Sequence, residues 1–248
     1  LPKPQPAVAT QIVGRIVRSE GVVRTTAGED VRADTILDTG ATGRIAVALN
    51  PGISLRMDID SRIVMAGERV VRLERGAVYV DARADKSGSV LVQTPHGDVR
   101  DIGTQFEVRA RGSEFGVRVR EGEILIDRDG AEMTARAGER LDLDKEGRYV
   151  RSAIPIFGQE WAWTSEIAPQ FQLEGSTVRQ FLDWVAREQG WRWRFADDET
   201  ARRAAGIITH GSIEGYTPEE ALAIVLPTCG LSFVLNKGEV VVSLVKES

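Results

Sequence analysis

Across residues 12–150, apolar and polar side chains alternate in short runs, as in Ile45, Val47 and Leu49; Leu55, Met57 and Ile59; Phe106 and Val108; Val117 and Val119; and Ile124 and Ile126. A period of two lines one face of a pleated strand, so each run reads as a strand with one face in a core. Gly40, Gly43, Gly52, Gly76, Gly112 and Gly130 punctuate the runs, and no helical spacing interrupts them. An all-β domain of many short strands is therefore expected over residues 12–152. Three segments repeat a glycine just before a strand-like run: EGVV at 20–23, RGAVYV at 75–80 and EGEILI at 121–126. They read as rungs of a β-solenoid or as successive strands of a sandwich, with the solenoid-like form preferred despite the irregular spacing.

After residue 150 the pattern changes. All five tryptophans lie at or beyond position 161, and Pro155, Gly158 and Pro169 bracket a connecting segment at 153–168. Residues 169–248 read as a small α+β module of the type β-α-β-β-α-β, closed by a hairpin. Residues 171–173 form its first expected strand. Ser176 is the expected cap of a helix carrying Val178, Phe181, Leu182 and Val185 at i, i+3, i+4 and i+7, with Gly190 as its stop. Trp191, Trp193 and Phe195 then alternate with Arg192 and Arg194. Thr217, Pro218 and Glu220 supply a cap, a first-turn proline and a capping-box acid for a second helix. Its apolar face runs through Leu222, Val225, Leu226 and Cys229, and Gly230 ends it. The runs LSFVL and EVVVSL make a hairpin around residues 236–238.

The inventory excludes most enzyme chemistries. The 248 residues carry a net charge of -5, with acids interleaved among the arginines, so nothing favours nucleic acid. No stretch reaches the roughly 18 apolar residues a membrane helix needs, and no charged-then-apolar segment at the start reads as a signal peptide. The proline-rich opening, residues 1–11, reads as a juxtamembrane linker cut from something upstream. A single cysteine, Cys229, rules out an internal disulfide and reads as a packed thiol. His96 and His210 fall in different modules, and no zinc, P-loop or nucleophile-elbow motif occurs. The acid pairs Asp58 and Asp60, Asp127 and Asp129, and Asp142 and Asp144 read as turn residues and not as a calcium site. No cofactor and no metal are expected.

One stretch carries more information than the rest. Residues 99–119, VRDIGTQFEVRARGSEFGVRV, closed by EGEILI, resemble the signature of the FecR family of bacterial transmembrane signalling regulators. Residues 171–190, 211–226 and 229–243 resemble the STN domain shared by secretins, TonB-dependent outer-membrane transporters and many FecR-like regulators. The resemblance implies the periplasmic region of a single-pass inner-membrane protein. Its implied partners are the signalling domain of a TonB-dependent transporter, often one for ferric siderophores, and an ECF sigma factor held by a cytoplasmic segment absent from this chain. Envelope proteases are further implied partners. No direct small-molecule substrate is expected. The alternative is an envelope structural or glycan-binding protein that uses a FecR-like domain without a sigma factor.

The resemblance also implies a possible self-cleavage between Gly103 and Thr104, in which the threonine hydroxyl attacks the preceding carbonyl. That chemistry needs a permissive glycine and a positioned hydroxyl, ideally near a base. Asp101 and His96 are the nearest titratable residues in sequence. The competing reading is a turn at Gly103 and a strand start at Thr104. For partner contact, a strand could add to an exposed sheet edge, with Trp191 and Trp193 as anchors beside Arg192 and Arg194. Against this, the two tryptophans read as core residues of an amphipathic strand and the arginines as solvated.

Overall fold

The computed structural model describes residues 11–22, 25–49, 52–82 and 89–245. Nearly all of the expected linker therefore lies outside the described residues. The chain divides into two compact units, Leu1–Ile154 and Pro155–Ser248.

The first unit is built from strands β1 to β15 in chain order, and its ladders form two sheets that share one strand. One sheet runs β2 (Asp30–Arg32), β1 (Ile12–Glu20), β4 (Arg44–Leu49), β5 (Ile53–Met57), the second half of β7 (Val70–Asp81), β10 (Gln105–Arg111), β11 (Glu114–Glu121), β14 (Glu139–Leu143) and β15 (Tyr149–Ala153). The other runs β3 (Ile36–Asp38), β6 (Arg62–Met65), the first half of β7, β8 (Leu91–Thr94), β9 (Gly97–Asp101), β12 (Glu123–Arg128) and β13 (Ala131–Arg136).

The alternation explains the core. Val47, Leu55, Val78, Val80, Phe106, Val108, Val117 and Val119 from the first sheet join Leu37, Ile63, Val71, Val92, Val99, Ile124 and Ile126 from the second in a single buried cluster. Two sheets around one core make a sandwich-like unit, which corrects the preferred solenoid. Stacked rungs of a solenoid would pair in parallel, whereas the described ladders here are antiparallel except β7 with β8.

The switch between sheets occurs at Gly76 in the middle of β7. Its φ of +92° is one that L side chains rarely adopt, and an added Cβ would lie 2.2 Å from Ser61 Oγ and 2.6 Å from the Asp60 carbonyl oxygen. Ser61 Oγ accepts from the Ala77 N–H at 2.9 Å, and Thr39 Oγ1 accepts from the Ser61 N–H at 2.9 Å. The bend is thus held by buried hydroxyls that leave no room for a side chain.

The second unit contains a 3-10 turn (Gln159–Trp161), α1 (Ala162–Glu166), α2 (Val178–Gln189), β16 (Arg192–Phe195), α3 (Asp198–Ala204), α4 (Pro218–Thr228), β17 (Leu231–Asn236) and β18 (Glu239–Leu244). Its sheet has the order β16-β18-β17, with β16 parallel and β17 antiparallel to β18. Phe181, Leu182 and Val185 of α2 pack with Leu222, Val225 and Leu226 of α4 and with Val240 and Val242 of β18.

Both long helices start with a capping box. At α4 it joins Thr217 and Glu220 as the sequence indicates, whereas at α2 it joins Thr177 and Gln180, so the cap falls one residue after Ser176. Gly190 ends α2 in the left-handed region, and Lys237 and Gly238, both at positive φ, make the two-residue hairpin turn.

Two expectations fail in this unit. Residues 171–173 form no strand, because hydroxyls take their carbonyls: Ser176 Oγ donates to Gln172 O and Thr209 Oγ1 donates to Leu173 O, both at 2.6 Å. Helix α3, capped by the Asp197 side chain on the Thr200 N–H, stands where a strand is expected. At seven residues it is too short for its period to declare itself. None of the described helices is long and apolar enough to cross a membrane.

Candidate functional site at the Gly103–Thr104 step

Strand β9 belongs to one sheet and β10 to the other, so residues 102–104 are where the chain crosses between them. The crossing bends through Gly103 at φ +77°, and an added Cβ there would meet nothing within 4 Å. Gly103 and Ile102 are exposed, whereas Thr104 is fully buried. The Thr104 carbonyl accepts from the Ala82 N–H at 3.0 Å, which starts the β10 side of the crossing. Its hydroxyl oxygen, Oγ1, is buried and has no hydrogen-bond partner among the described residues. A buried hydroxyl without a partner costs on the order of 1–3 kcal/mol and calls for an explanation.

Asp101, the last residue of β9, lies under the bend and is 1% exposed. Its carboxyl accepts from the Val90 N–H and, at 3.0 Å, from the Gly103 N–H; the Thr104 N–H faces it as well. Burial pushes its pKa up. The three N–H groups and the Arg69 charge oppose that shift without cancelling it. On the other side lies Gly122, at φ +79° between β11 and β12. A Cβ on it would fall 2.6 Å from Thr104 Cγ2, 2.9 Å from Gly103 O and 3.2 Å from Thr104 Cα. The Ile102 N–H donates to Glu123 O at 3.1 Å and ties the crossing to that second bend. The step is therefore held between a buried acid and a close-packed glycine. Chemically it sets a carbonyl on an exposed residue beside a hydroxyl that no other described residue engages.

Of the two titratable residues nearest in sequence, only Asp101 reaches the step. His96 sits in the β8–β9 turn, with Nε2 2.7 Å from Gly112 O and its ring 6.0 Å from Phe115. Gly112 lies just past the far end of β10, about eight residues or roughly 26 Å along the strand from Thr104. Gly122 could not be singled out from sequence. Its signal is the glycine of EGEILI, read there only as a strand leader.

The residues proposed for partner contact lie on β16, an edge strand of the second unit, except Trp191, which directly precedes it. Trp191 and Trp193 are half-buried and pack against that unit's core. Trp193 Nε1 donates to Asp183 Oδ1 at 2.8 Å, and the Arg179 guanidinium lies 5.2 Å from its ring centre. Arg192 and Arg194 are exposed, and Arg194 pairs with Glu239 at 3.3 Å. Cys229 follows the last turn of α4 and packs against the same core. Asp58 is engaged by Arg44 and Arg109. Among the described residues no cluster of acids, histidines or cysteine is placed to hold a metal.

The stretch containing the crossing also has relatives. Residues 35–125 match the family described as FecR protein. The FecR match begins just before β3 and ends within β12, so it takes in Asp101, Gly103, Thr104 and Gly122 together. No curated protein matches the chain. Two crystal structures of a candidate anti-sigma factor from Parabacteroides distasonis align with it at 15% identity and a TM-score of 0.48 each, covering 84% and 85% of this chain and 98% of theirs.

The raised pKa of Asp101 has a definite sign for stability. The folded chain holds that proton more tightly than the unfolded chain, so the contribution of Asp101 falls as pH rises from the ordinary carboxylate range through its folded value. Urea titrations from pH 4 upward should show a loss for the wild type that is missing in Asp101→Asn. Identical pH dependence in the two would contradict the assignment.

Proposed function

We propose that this chain is the extracytoplasmic sensor region of a FecR-type transmembrane regulator. It receives a signal from the signalling domain of a TonB-dependent outer-membrane transporter and relays it, through a cytoplasmic segment, to an ECF sigma factor. The FecR match over residues 35–125 carries this reading, and the separate α+β unit that follows supports it. That unit leaves β16 as an edge strand, beside which an incoming strand could pair through its main chain while contacting Trp193 and the exposed Arg192 and Arg194. A pull-down from the source envelope with the whole chain as bait tests it. Retention of a transporter signalling domain is the expected result. Enrichment of glycan or another envelope component with no such domain would replace the reading with a structural one.

A second reading is favoured by the Thr104 hydroxyl, which has no partner among the described residues: the chain processes itself at Gly103–Thr104. The hydroxyl oxygen bonds to the Gly103 carbonyl carbon, the C–N bond breaks, and the hydroxyl proton is balanced by one gained at the nitrogen. The product is an ester with a free amine. Water then hydrolyses the ester to a Gly103 carboxylate and a Thr104 amino terminus. The intact mass of the purified chain tests this, since cleavage gives two fragments that meet at that bond.

A further inference from the structure

The geometry points to Asp101 as the acid that delivers a proton to the Thr104 nitrogen during this acyl shift, with Gly122 as the wall that holds the bond against it. The inference rests on the self-processing reading and names the group that reading leaves open. An amide nitrogen is a poor leaving group until it is protonated, so the breaking C–N bond needs an acid within hydrogen-bonding reach of that nitrogen. The Asp101 carboxyl meets this condition. It is buried, it accepts from the Gly103 N–H at 3.0 Å, and the Thr104 N–H faces it.

The opposite side of the bond is closed. Gly122 approaches Gly103 O and Thr104 Cγ2 so nearly that a methyl group would fall 2.9 and 2.6 Å from them. With Cγ2 held there, the hydroxyl is left to one of the remaining staggered positions around Cβ. In the step, neutral Asp101 gives its proton to the Thr104 nitrogen as the C–N bond breaks, and the proton lost by the attacking hydroxyl restores the acid. No oxidant or cofactor is required, and water enters only at hydrolysis.

Arg69 ahead of β7 acts on Asp101 directly and favours its ionised form. Glu123 opens β12, the strand that pairs with β9 at Asp101 and Ile124, and Glu121 and Asp81 flank Gln105 in the ladders of β10. Burial shifts Asp101 toward its neutral, proton-giving form, against the pull of Arg69 and of the three N–H groups.

The test follows cleavage of the whole chain by intact mass across pH, with hydroxylamine added to trap the ester. The wild type should cleave fastest in mild acid and slow as pH rises through one ionisation. Asp101→Asn should slow cleavage about 100-fold and lose that pH dependence while melting cooperatively. Asp101→Glu keeps an acid and should restore cleavage with a displaced pH midpoint. If folded Asp101→Asn cleaves like the wild type with the same profile while Thr104→Val is inert, self-processing stands and the role of Asp101 falls. If the wild type neither cleaves nor yields an ester to hydroxylamine at any pH, both fall. Should Asp101→Asn fail to fold, the midpoint of Asp101→Glu decides, and an unmoved midpoint overturns the proposal.

Discussion

Replacing Thr104 by valine is expected to abolish cleavage and, at the same time, to stabilise the first unit by about 1 kcal/mol. Valine has nearly the shape of threonine and fills the same fully buried place at the start of β10. It removes a hydroxyl with no hydrogen-bond partner among the described residues, and with it the desolvation that hydroxyl costs. Valine also suits a strand at least as well. Loss of activity combined with gain of stability is the mark of a group kept for chemistry and not for the fold. Thr104→Ser, which keeps the nucleophile, should still cleave. Urea titration and intact mass on the same preparations check both halves, and a valine variant less stable than the wild type would mean that the hydroxyl is satisfied in the folded protein.

Gly76→Ala is expected to cost the same unit about 3 kcal/mol. Holding an alanine at positive φ contributes roughly 1–2 kcal/mol, and forcing its methyl into a filled space adds roughly 1–3. The methyl would fall 2.2 Å from Ser61 Oγ and 2.6 Å from Asp60 O, and the bend cannot widen without giving up the buried hydroxyl bonds of Ser61 and Thr39. Gly103→Ala is the comparison. It has a similar positive φ but open space around it, so only the backbone part, about 1 kcal/mol, should be lost. Equal losses in the two variants, measured by urea titration, would contradict the steric account of Gly76.

Much of the first unit is legible in its alternation. Val47, Val78, Phe106, Val117 and Ile124 all enter the core from runs of period two, since the face a strand buries is written residue by residue. How strands pair is not local in that way. The glycine of RGAVYV reads as the start of a repeat, whereas Gly76 is the bend that carries one strand through two sheets, a role fixed by Ser61 fifteen positions earlier. The second unit follows the same division. The capping box at Thr217 and the hairpin at Lys237 and Gly238 are local and readable, whereas the loss of a strand at 171–173 depends on Thr209 more than thirty residues away. At the candidate site, Gly103, Thr104 and Asp101 are neighbours in sequence and stand out together. Gly122 arrives from another pair of strands, and only its packing reveals it.

The measurement that tests the receiver role most directly is a calorimetric titration of the whole chain with isolated signalling domains of TonB-dependent transporters from the same envelope. The account predicts saturable one-to-one binding to one of them with a Kd on the order of 1 μM. No binding to any of them at about a hundred times that concentration, with the chain folded, would contradict it.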